Sequence, residues 1–600
     1  MKNYKAPQRD TSFVMDELLG FEQHYEDLGF DGAPPFMIKA IFAESAKFTE
    51  NVLAPLDAVG DDEGCQWNDG QVTTPTGFKE AYQDYVKGGW PSLAQPEEYG
   101  GQALPYSLAM SSAEWISSAN HAWGMYTGLS HSCMETLKAH GTPEQKHQFL
   151  PKLVSGHWTG TMCLTESHCG SDLGLLKTKA EANTDGSYSI TGTKIFISAG
   201  EHDMSDNIIH IVLARLPDAP PGIKGLSLFI VPKINIDPQG DILDLNAVSC
   251  GSIEHKMGIK GSATCVMNFD GATGQLIGEP NRGIHCMFTF MNMARIATGL
   301  EGLAATDASF QGALAYAKDR LQFRSMSGVK NPNGPADSII EHPDVRRMLL
   351  TQKAFSEGNR ALVISCMKHV DTVLYSQDSE AKYLAESKLS LLTPIVKAFL
   401  TETALEATSH GMQVFGGHGY IKEWGMEQLA RDTRICTMYE GTTGIQALDL
   451  LARKVVGSRG ELLSIFTQEI QDYCLNIRES ITNNSLFNTW ANSLESHLDE
   501  WKKLSTNIAM KAAKNPDELG AASVDYLMYS GYVTVAYFWL QMAVTAQQKI
   551  DAGTSETDFY QAKIQTASFY FARILSRTRS LVKSMESGAD NLMSMSIDQF

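Results

Sequence analysis

Basic residues are scarce: 49 Lys and Arg stand against 69 Asp and Glu, a formal charge of −20 over 600 residues. A general nucleic-acid binder needs a basic face, so that class is excluded. An anionic ligand is not, because a few placed cations and backbone N–H groups hold one locally. No clean run of about 18 apolar residues occurs. The nearest candidate, Val524 to Ala543, is interrupted by Asp525, Ser530, Gly531, Thr534 and Gln541, and reads as a buried helix with no membrane span. The start, Met-Lys-Asn-Tyr-Lys-Ala-Pro, lacks the apolar stretch of a secretory signal. The ten cysteines, from Cys65 to Cys474, include no C-x-x-C pair and read as reduced, mostly buried thiols of a cytoplasmic protein. The Rossmann fingerprint is missing: the third glycine after Gly417 and Gly419 would fall on Lys422. There is no Gly-Lys dipeptide for a Walker A loop and no H-E-x-x-H.

What is present is an ordinary globular composition, 43% apolar and 20% charged, in a chain too long for one core. Residues 1–34 form an N-terminal extension. A helical domain is expected over 35–160, where Met37-Ile38-x-x-Ile41-Phe42 and Leu129–Leu137 give apolar stripes and Gly88-Gly89, Gly100-Gly101 and Gly141-Thr-Pro143 give breaks. Over 161–280, runs such as 187–198, 207–214, 226–231 and 264–269 are rich in β-branched and aromatic residues with Gly and Pro between them, which predicts an antiparallel β-domain. Long helices return over 281–456. Residues 460–600 add a further helical domain with polar breaks at Thr482–Ser485, Asn515-Pro516 and Asp551–Thr554.

Four segments carry candidate chemistry. Met162-Cys-Leu-Thr-Glu-Ser-His-Cys-Gly-Ser-Asp172 is a polar loop whose hydroxyls and N–H groups suit a phosphate or flavin edge, although taken alone it reads first as a capped turn. In Gly192-Thr-Lys-Ile-Phe-Ile-Ser198, Phe196 and its neighbours Ile195 and Ile197 face opposite sides, so one of them suits a flat cofactor; a plain core strand is the other reading. Gln413-Val-Phe-Gly-Gly-His-Gly-Tyr420 holds three glycines where a helix cap needs one, which favours close approach of a ligand. In Arg431–Gln446, Glu440 lies between Tyr439 and Gly441 with Met438 and Ile435 nearby. A carboxylate in an apolar wall is a stronger base, and Gly441 permits a sharp turn. A surface Glu ahead of a helix is the ordinary alternative.

In this order the four segments resemble the acyl-CoA dehydrogenase family over roughly residues 35 to 455. The long C-terminal module resembles its large bacterial branch, which includes 3-methylmercaptopropionyl-CoA dehydrogenases and medium- to long-chain acyl-CoA dehydrogenases. The resemblance implies a helical N-domain, a β-barrel-like middle domain and a four-helix-bundle-like C-domain, with FAD as cofactor and no metal. It implies that the segment Met162, Leu164, Thr165 and Glu166 lines the flavin, and that Ser171 lies near the CoA or FAD phosphates. Phe196 stands where a Trp is usual and Ser198 where a Thr is usual. Arg320 and Gln322 match the segment that reaches the neighbouring subunit's FAD, although Arg324 replaces a Gly there. Gln413, Gly416 and Gly417 match the adenosine- and pyrophosphate-binding segment, and Thr442 an FAD-contacting hydroxyl.

Glu440 matches the base that removes the α-proton, with its own N–H polarising the thioester oxygen. Gly441 and Arg295 are implied at the substrate. Some relatives carry the base just before the arginine matching Arg295, and here that residue is Ala294. The implied activity is α,β-dehydrogenation of a fatty acyl-CoA, medium to long chain, to the trans-2-enoyl-CoA in a homodimer, with electrons passed to an electron-transfer flavoprotein. A 3-methylmercaptopropionyl-CoA dehydrogenase, an acyl-CoA oxidase and an inactive FAD- or CoA-binding scaffold are the alternatives. A metal set of His121, His131, Cys133 and His140 has no standard zinc spacing.

Overall fold

The structure is a computed structural model and describes residues 4–30, 32–480 and 485–600. The first three residues and most of the polar break at Thr482–Ser485 lie outside the described residues. The chain forms two compact units, Met1–Ala6 with Phe36–Ala297, and Pro7–Pro35 with Thr298–Phe600.

In the first unit, helices cover most of residues 36–154, and their ends follow local chemistry. Asn120 caps the helix His121–His140 by accepting from the Trp123 N–H at 3.0 Å. The Gly141-Thr-Pro143 break ends that helix and starts the next, Pro143–Val154. There Thr142 and Gln145 form a reciprocal capping box, and Pro143 occupies the first turn, where its missing N–H costs nothing.

A small hairpin, β1 (Gln66–Asn68) with β2 (Gln71–Thr73), precedes the main sheet of β3 (Trp158–Cys163), β4 (Lys179–Ala182), β5 (Tyr188–Ser198), β6 (Asn207–Arg215), β7 (Leu226–Pro232), β10 (Val248–Ile253) and β11 (Thr264–Ile277). A second hairpin, β8 (Ile234–Ile236) with β9 (Ile242–Leu245), stands apart from it. Strands β4, β5, β11, β7 and β6 pair in a closed ring, which is the barrel-like domain expected. The expected antiparallel order has two exceptions. β3 runs parallel to β6, and β4 meets β6 in parallel at Lys179 and Arg215, because the β4–β5 hairpin returns the chain before β6 begins. The sheet's Ile209, Ile211, Leu213, Leu228 and Ile230 pack with Leu137, Phe149, Leu150, Met287 and Phe290 of the covering helices.

The second unit holds the long helices Pro343–Tyr375 and Ser379–Phe415, the greater part of Gly283–Asp319, and the C-terminal helices. Asp517–Asp551 contains the apolar stretch expected to be buried. Val533, Ala536, Phe538, Trp539 and Leu540 are all 2% exposed or less. No helix among the described residues is long and apolar enough to cross a membrane. This helix packs on Pro343–Tyr375, Ser379–Phe415 and Thr443–Leu448. Two glycines set the approach: a Cβ on Gly358 would lie 2.6 Å from Val535 Cγ1, and one on Gly531 2.2 Å from Phe399 Cδ2. The Trp539 indole N–H then reaches the Ala354 carbonyl at 3.1 Å.

Residues 7–35 belong to this unit and dock on its C-terminal helices. Arg9 holds Glu556 through two bonds of 3.0 Å and stacks over Phe559. The buried Lys563 ammonium bridges Asp10 and Glu357, the latter at 2.9 Å. Helix Pro343–Tyr375 carries Glu357 and makes a further link, because Lys368 on it donates to the Leu19 carbonyl at 2.5 Å.

Candidate active site

The first unit carries the loop after β3 and the end of β5. Glu166 is 5% exposed, and its carboxylate accepts from the Lys177 and Thr178 N–H groups, the Thr178 hydroxyl and the Lys194 ammonium, all within 2.9 Å. Burial alone would raise this carboxyl, but the Lys194 charge and the hydrogen bonds outweigh it and bring it down to about 2. Lys194 also donates to the Leu164 carbonyl at 2.9 Å, and the Ile195 N–H to the Thr165 carbonyl at 2.9 Å. The loop Leu164-Thr165-Glu166 is thereby stitched to β5. Asp172 accepts from the Gly174 N–H at 3.0 Å, so the far end of the loop is a capped turn, and Ser171 is exposed on it.

Phe196 sits on a bulge. Lys194 pairs with Met267 and Ile197 with Cys265, so two residues face the single Val266. Strict alternation fails there, and Lys194 and Ile197 are both buried. Phe196 has φ +59 and is 58% exposed, its ring turned outward next to the half-buried Ser198. A bulky side chain in the left-handed region costs about 1–3 kcal/mol. Met162 and Thr165 are half-buried, Leu164 is buried, and Arg295 is 7% exposed beside the buried Ala294. Of the conceivable metal set, His131 lies 3.8 Å from Glu135, and His140 meets the Thr289 hydroxyl at 2.8 Å.

The second unit carries the other expected residues. Arg320 and Gln322 open an exposed loop. Arg324, the departure from the family pattern, has a structural use: it donates to the carbonyls of Asn331 at 2.7 Å and Gly334 at 2.6 Å and pairs with Asp337 at 3.3 Å. Asp337 in turn accepts three backbone N–H groups, from Ser325, Lys330 and Asn331. The helix Ser379–Phe415 ends where Gly416 turns to φ +60, ψ −135. Gln413, Gly416 and Gly417 are exposed, and a Cβ on either glycine would meet nothing within 4 Å. Behind them His418 stacks on Trp424 at 4.6 Å and bonds the Tyr316 hydroxyl at 3.0 Å.

Glu440 is half-buried at φ +54, followed by Gly441 at φ +89. Thr442 is exposed and caps the helix Thr443–Leu448 by accepting from the Ile445 N–H at 3.3 Å. The expected apolar wall is only partly there. Met438 is 46% exposed, and the segment is held by polar groups that pattern reading missed. Gln446 Nε2 donates to the Glu440 carbonyl at 2.9 Å, and Lys397 Nζ to the Gly441 carbonyl at 2.6 Å. The Tyr439 hydroxyl donates to Glu301, and the Thr443 hydroxyl to Glu402 at 2.5 Å. Lys397 is fully buried, and burial pulls its ammonium down to about 8 against the opposing pull of Cys436, Glu440, Glu301 and Glu402. A lone Lys inside Leu391-Leu-Thr-Pro-Ile-Val-Lys-Ala-Phe-Leu400 was the available signal, since an unpaired Lys is almost never fully buried.

These residues fit a flavin nucleotide. Each unit offers what such a ligand requires: an outward aromatic face at Phe196 beside the hydroxyls of Ser198 and Thr165, and at Gly416-Gly417 an open backbone that no side chain fills. Sequence profiles described as the acyl-CoA dehydrogenase N-terminal, middle and C-terminal domains match residues 38–157, 161–272 and 281–455. A profile described as acetyl-CoA dehydrogenase C-terminal like matches 466–596. The chain is 38% identical over 599 residues to a 3-methylmercaptopropionyl-CoA dehydrogenase of Ruegeria pomeroyi, covering 99% of this chain and 100% of that protein.

The chain belongs to the acyl-CoA dehydrogenase family.

A broad-specificity linear acyl-CoA dehydrogenase of Mycobacterium tuberculosis is 33% identical, covering 98% of each. An FAD-complexed acyl-CoA dehydrogenase from Bacillus anthracis shares the fold at TM-score 0.74 and 20% identity, covering 97% of this chain and 92% of that one. Like the rest of its family, this acyl-CoA dehydrogenase is an FAD-dependent oxidoreductase acting on a CH–CH bond.

Proposed function

We propose that this acyl-CoA dehydrogenase oxidises a fatty acyl-CoA of medium to long chain to the trans-2-enoyl-CoA, with Glu440 as its base. The observation that carries the assignment of the base is the backbone at Glu440. A non-glycine residue held at φ +54 ahead of Gly441 is costly unless its orientation is used, and four side chains anchor it there. The Glu440 carboxylate takes the α-proton, and its N–H donates to the thioester oxygen as negative charge develops. FAD, when bound, accepts the β-hydrogen as a hydride. Thr165, Ser198 and Phe196, with Met162 and Leu164, hold the flavin ring. Gln413, Gly416, Gly417, Arg320, Gln322 and Thr442 serve the rest of the nucleotide in a homodimer, while Ser171 and Arg295 serve the CoA ester. An electron-transfer flavoprotein takes the electrons, and the reaction runs in the cytoplasm. The functional divisions are 35–160, 161–280, 281–456 and 460–600, with 1–34 as an extension.

The relative at 38% identity supports a second reading, a short thioether acyl-CoA as substrate. A panel of acyl-CoAs of increasing length plus 3-methylmercaptopropionyl-CoA, assayed with an artificial electron acceptor, separates the two by kcat/KM. Glu440→Gln retains FAD and binds acyl-CoA, yet substrate no longer bleaches the flavin. Bleaching at the wild-type rate in that variant would remove Glu440 from the role.

A further inference from the structure

We propose that Lys397 and Gln446 are positioning residues for Glu440, two buried donors that grip consecutive peptide carbonyls and fix the direction of both the carboxylate and its N–H. This rests on Glu440 being the base. Two successive residues, Glu440 and Gly441, lie in the left-handed region, and the first is not glycine. Such a turn persists only where its surroundings over-determine it.

The two carbonyls of this turn are the ones the donors meet. Gln446 Nε2 reaches the Glu440 oxygen at 2.9 Å from a fully buried side chain, and its Oε1 has no hydrogen-bond partner among the described residues. A buried amide that leaves its acceptor unmatched to make one donor bond is committed to that bond, because the flipped amide would set oxygen against oxygen. The side chain also lies against the turn: a Cβ on Gly441 would come within 2.7 Å of Gln446 Nε2. Glycine is required there twice over, for its φ and for this contact.

Lys397 Nζ holds the next oxygen, that of Gly441, at 2.6 Å. The charged and titratable groups facing this ammonium are Glu301 from the helix Gly283–Asp319, Glu402 one turn along its own helix, and Cys436 and Glu440 from the catalytic segment. Both neighbouring acids are themselves tied to that segment, Glu301 by the Tyr439 hydroxyl and Glu402 by the Thr443 hydroxyl. Residues 439, 440, 441 and 443 are thus each anchored, and Lys397 brings a cation among the anchors. Glu440 is among the acids that favour the charged form of this ammonium.

The clamp acts on geometry at the reacting carbon and leaves CoA binding untouched, so its loss falls on kcat. Lys397→Met and Gln446→Glu, purified with FAD bound, are expected to lower kcat about 10- to 100-fold with little change in KM. Gln446→Glu keeps the volume and removes the N–H. The pH profile gives a readout that lost packing does not move. Wild type is expected to lose activity as pH rises through about 8, the value to which burial brings the Lys397 ammonium. This alkaline limb disappears in Lys397→Met and moves to higher pH in Lys397→Arg, which stays charged. If Lys397→Met does not retain FAD, Lys397→Arg and Gln446→Glu carry the test alone. Wild-type kcat and an unchanged alkaline limb in flavin-loaded variants overturn the clamp. Glu440→Gln run alongside keeps the two ideas apart: an active Glu440→Gln removes the base, whereas an inactive one beside wild-type-like Lys397 and Gln446 variants removes only the clamp.

Discussion

Lys194 Nζ lies 2.9 Å from Glu166 Oε1, and the two side chains are 0% and 5% exposed. Removing one partner of such a pair strands the other charge in low dielectric, which costs about 3–5 kcal/mol. Lys194→Met is therefore expected to lower the denaturation midpoint and release FAD, because the Leu164 carbonyl loses its donor as well. The double variant with Glu166→Leu recovers much of the stability but not the FAD affinity. Urea unfolding and the flavin-to-protein absorbance ratio measure both.

The same carboxylate predicts acid behaviour. Glu166 is held down at about 2 from an ordinary 4.5. A depressed carboxyl contributes stability that is fully present above the unfolded value and lost as pH falls through the folded one. Unfolding free energy should fall between about pH 4.5 and 2, with a shallower slope in Glu166→Gln. Chemical denaturation at a series of pH values reads the slope. An identical slope in the variant would show that Glu166 is not linked.

Gly531→Ala tests the contact between the long C-terminal helix and the bundle. The added methyl would lie 2.2 Å from Phe399 Cδ2, so helix or ring must shift, at about 1–3 kcal/mol or more. Thermal unfolding should fall by several degrees. An unchanged melting temperature would mean that the helix pair is looser than described.

Lys563→Met is expected to free residues 7–35. Asp10 and Glu357 would face each other without their shared cation, and limited proteolysis should cut in this segment well before wild type is cut. Equal cleavage rates would show that the Arg9–Glu556 and Lys368–Leu19 links hold the segment without Lys563.

Much of this architecture was legible because its signals are local. The break at Gly141-Thr-Pro143, the β-branched runs of the barrel and the interruption of Val524–Ala543 by polar residues all act within a few residues. Glu440 and the Gly416-Gly417 pair stand out in the sequence for the same reason. The groups that hold Glu440 were not. Lys397 is 43 positions away and Glu301 is 139 away, and each meets the segment only after three long helices have packed. The bulge at Phe196 was hidden because its cause, the single Val266 opposite two residues, lies on another strand. The docking of residues 7–35 was hidden because their partners lie more than 300 positions along the chain.

That docking places a constraint on biosynthesis. Asp10 leaves the ribosome 553 residues ahead of Lys563, yet they share one buried contact. At about 5–20 residues per second, the N-terminal segment waits roughly half a minute to two minutes for its partner. Phe13, Val14 and Met15, all buried in the finished protein, are exposed throughout that interval. The first unit has its whole sequence available once Ala297 is made, long before Lys563 exists to receive Asp10.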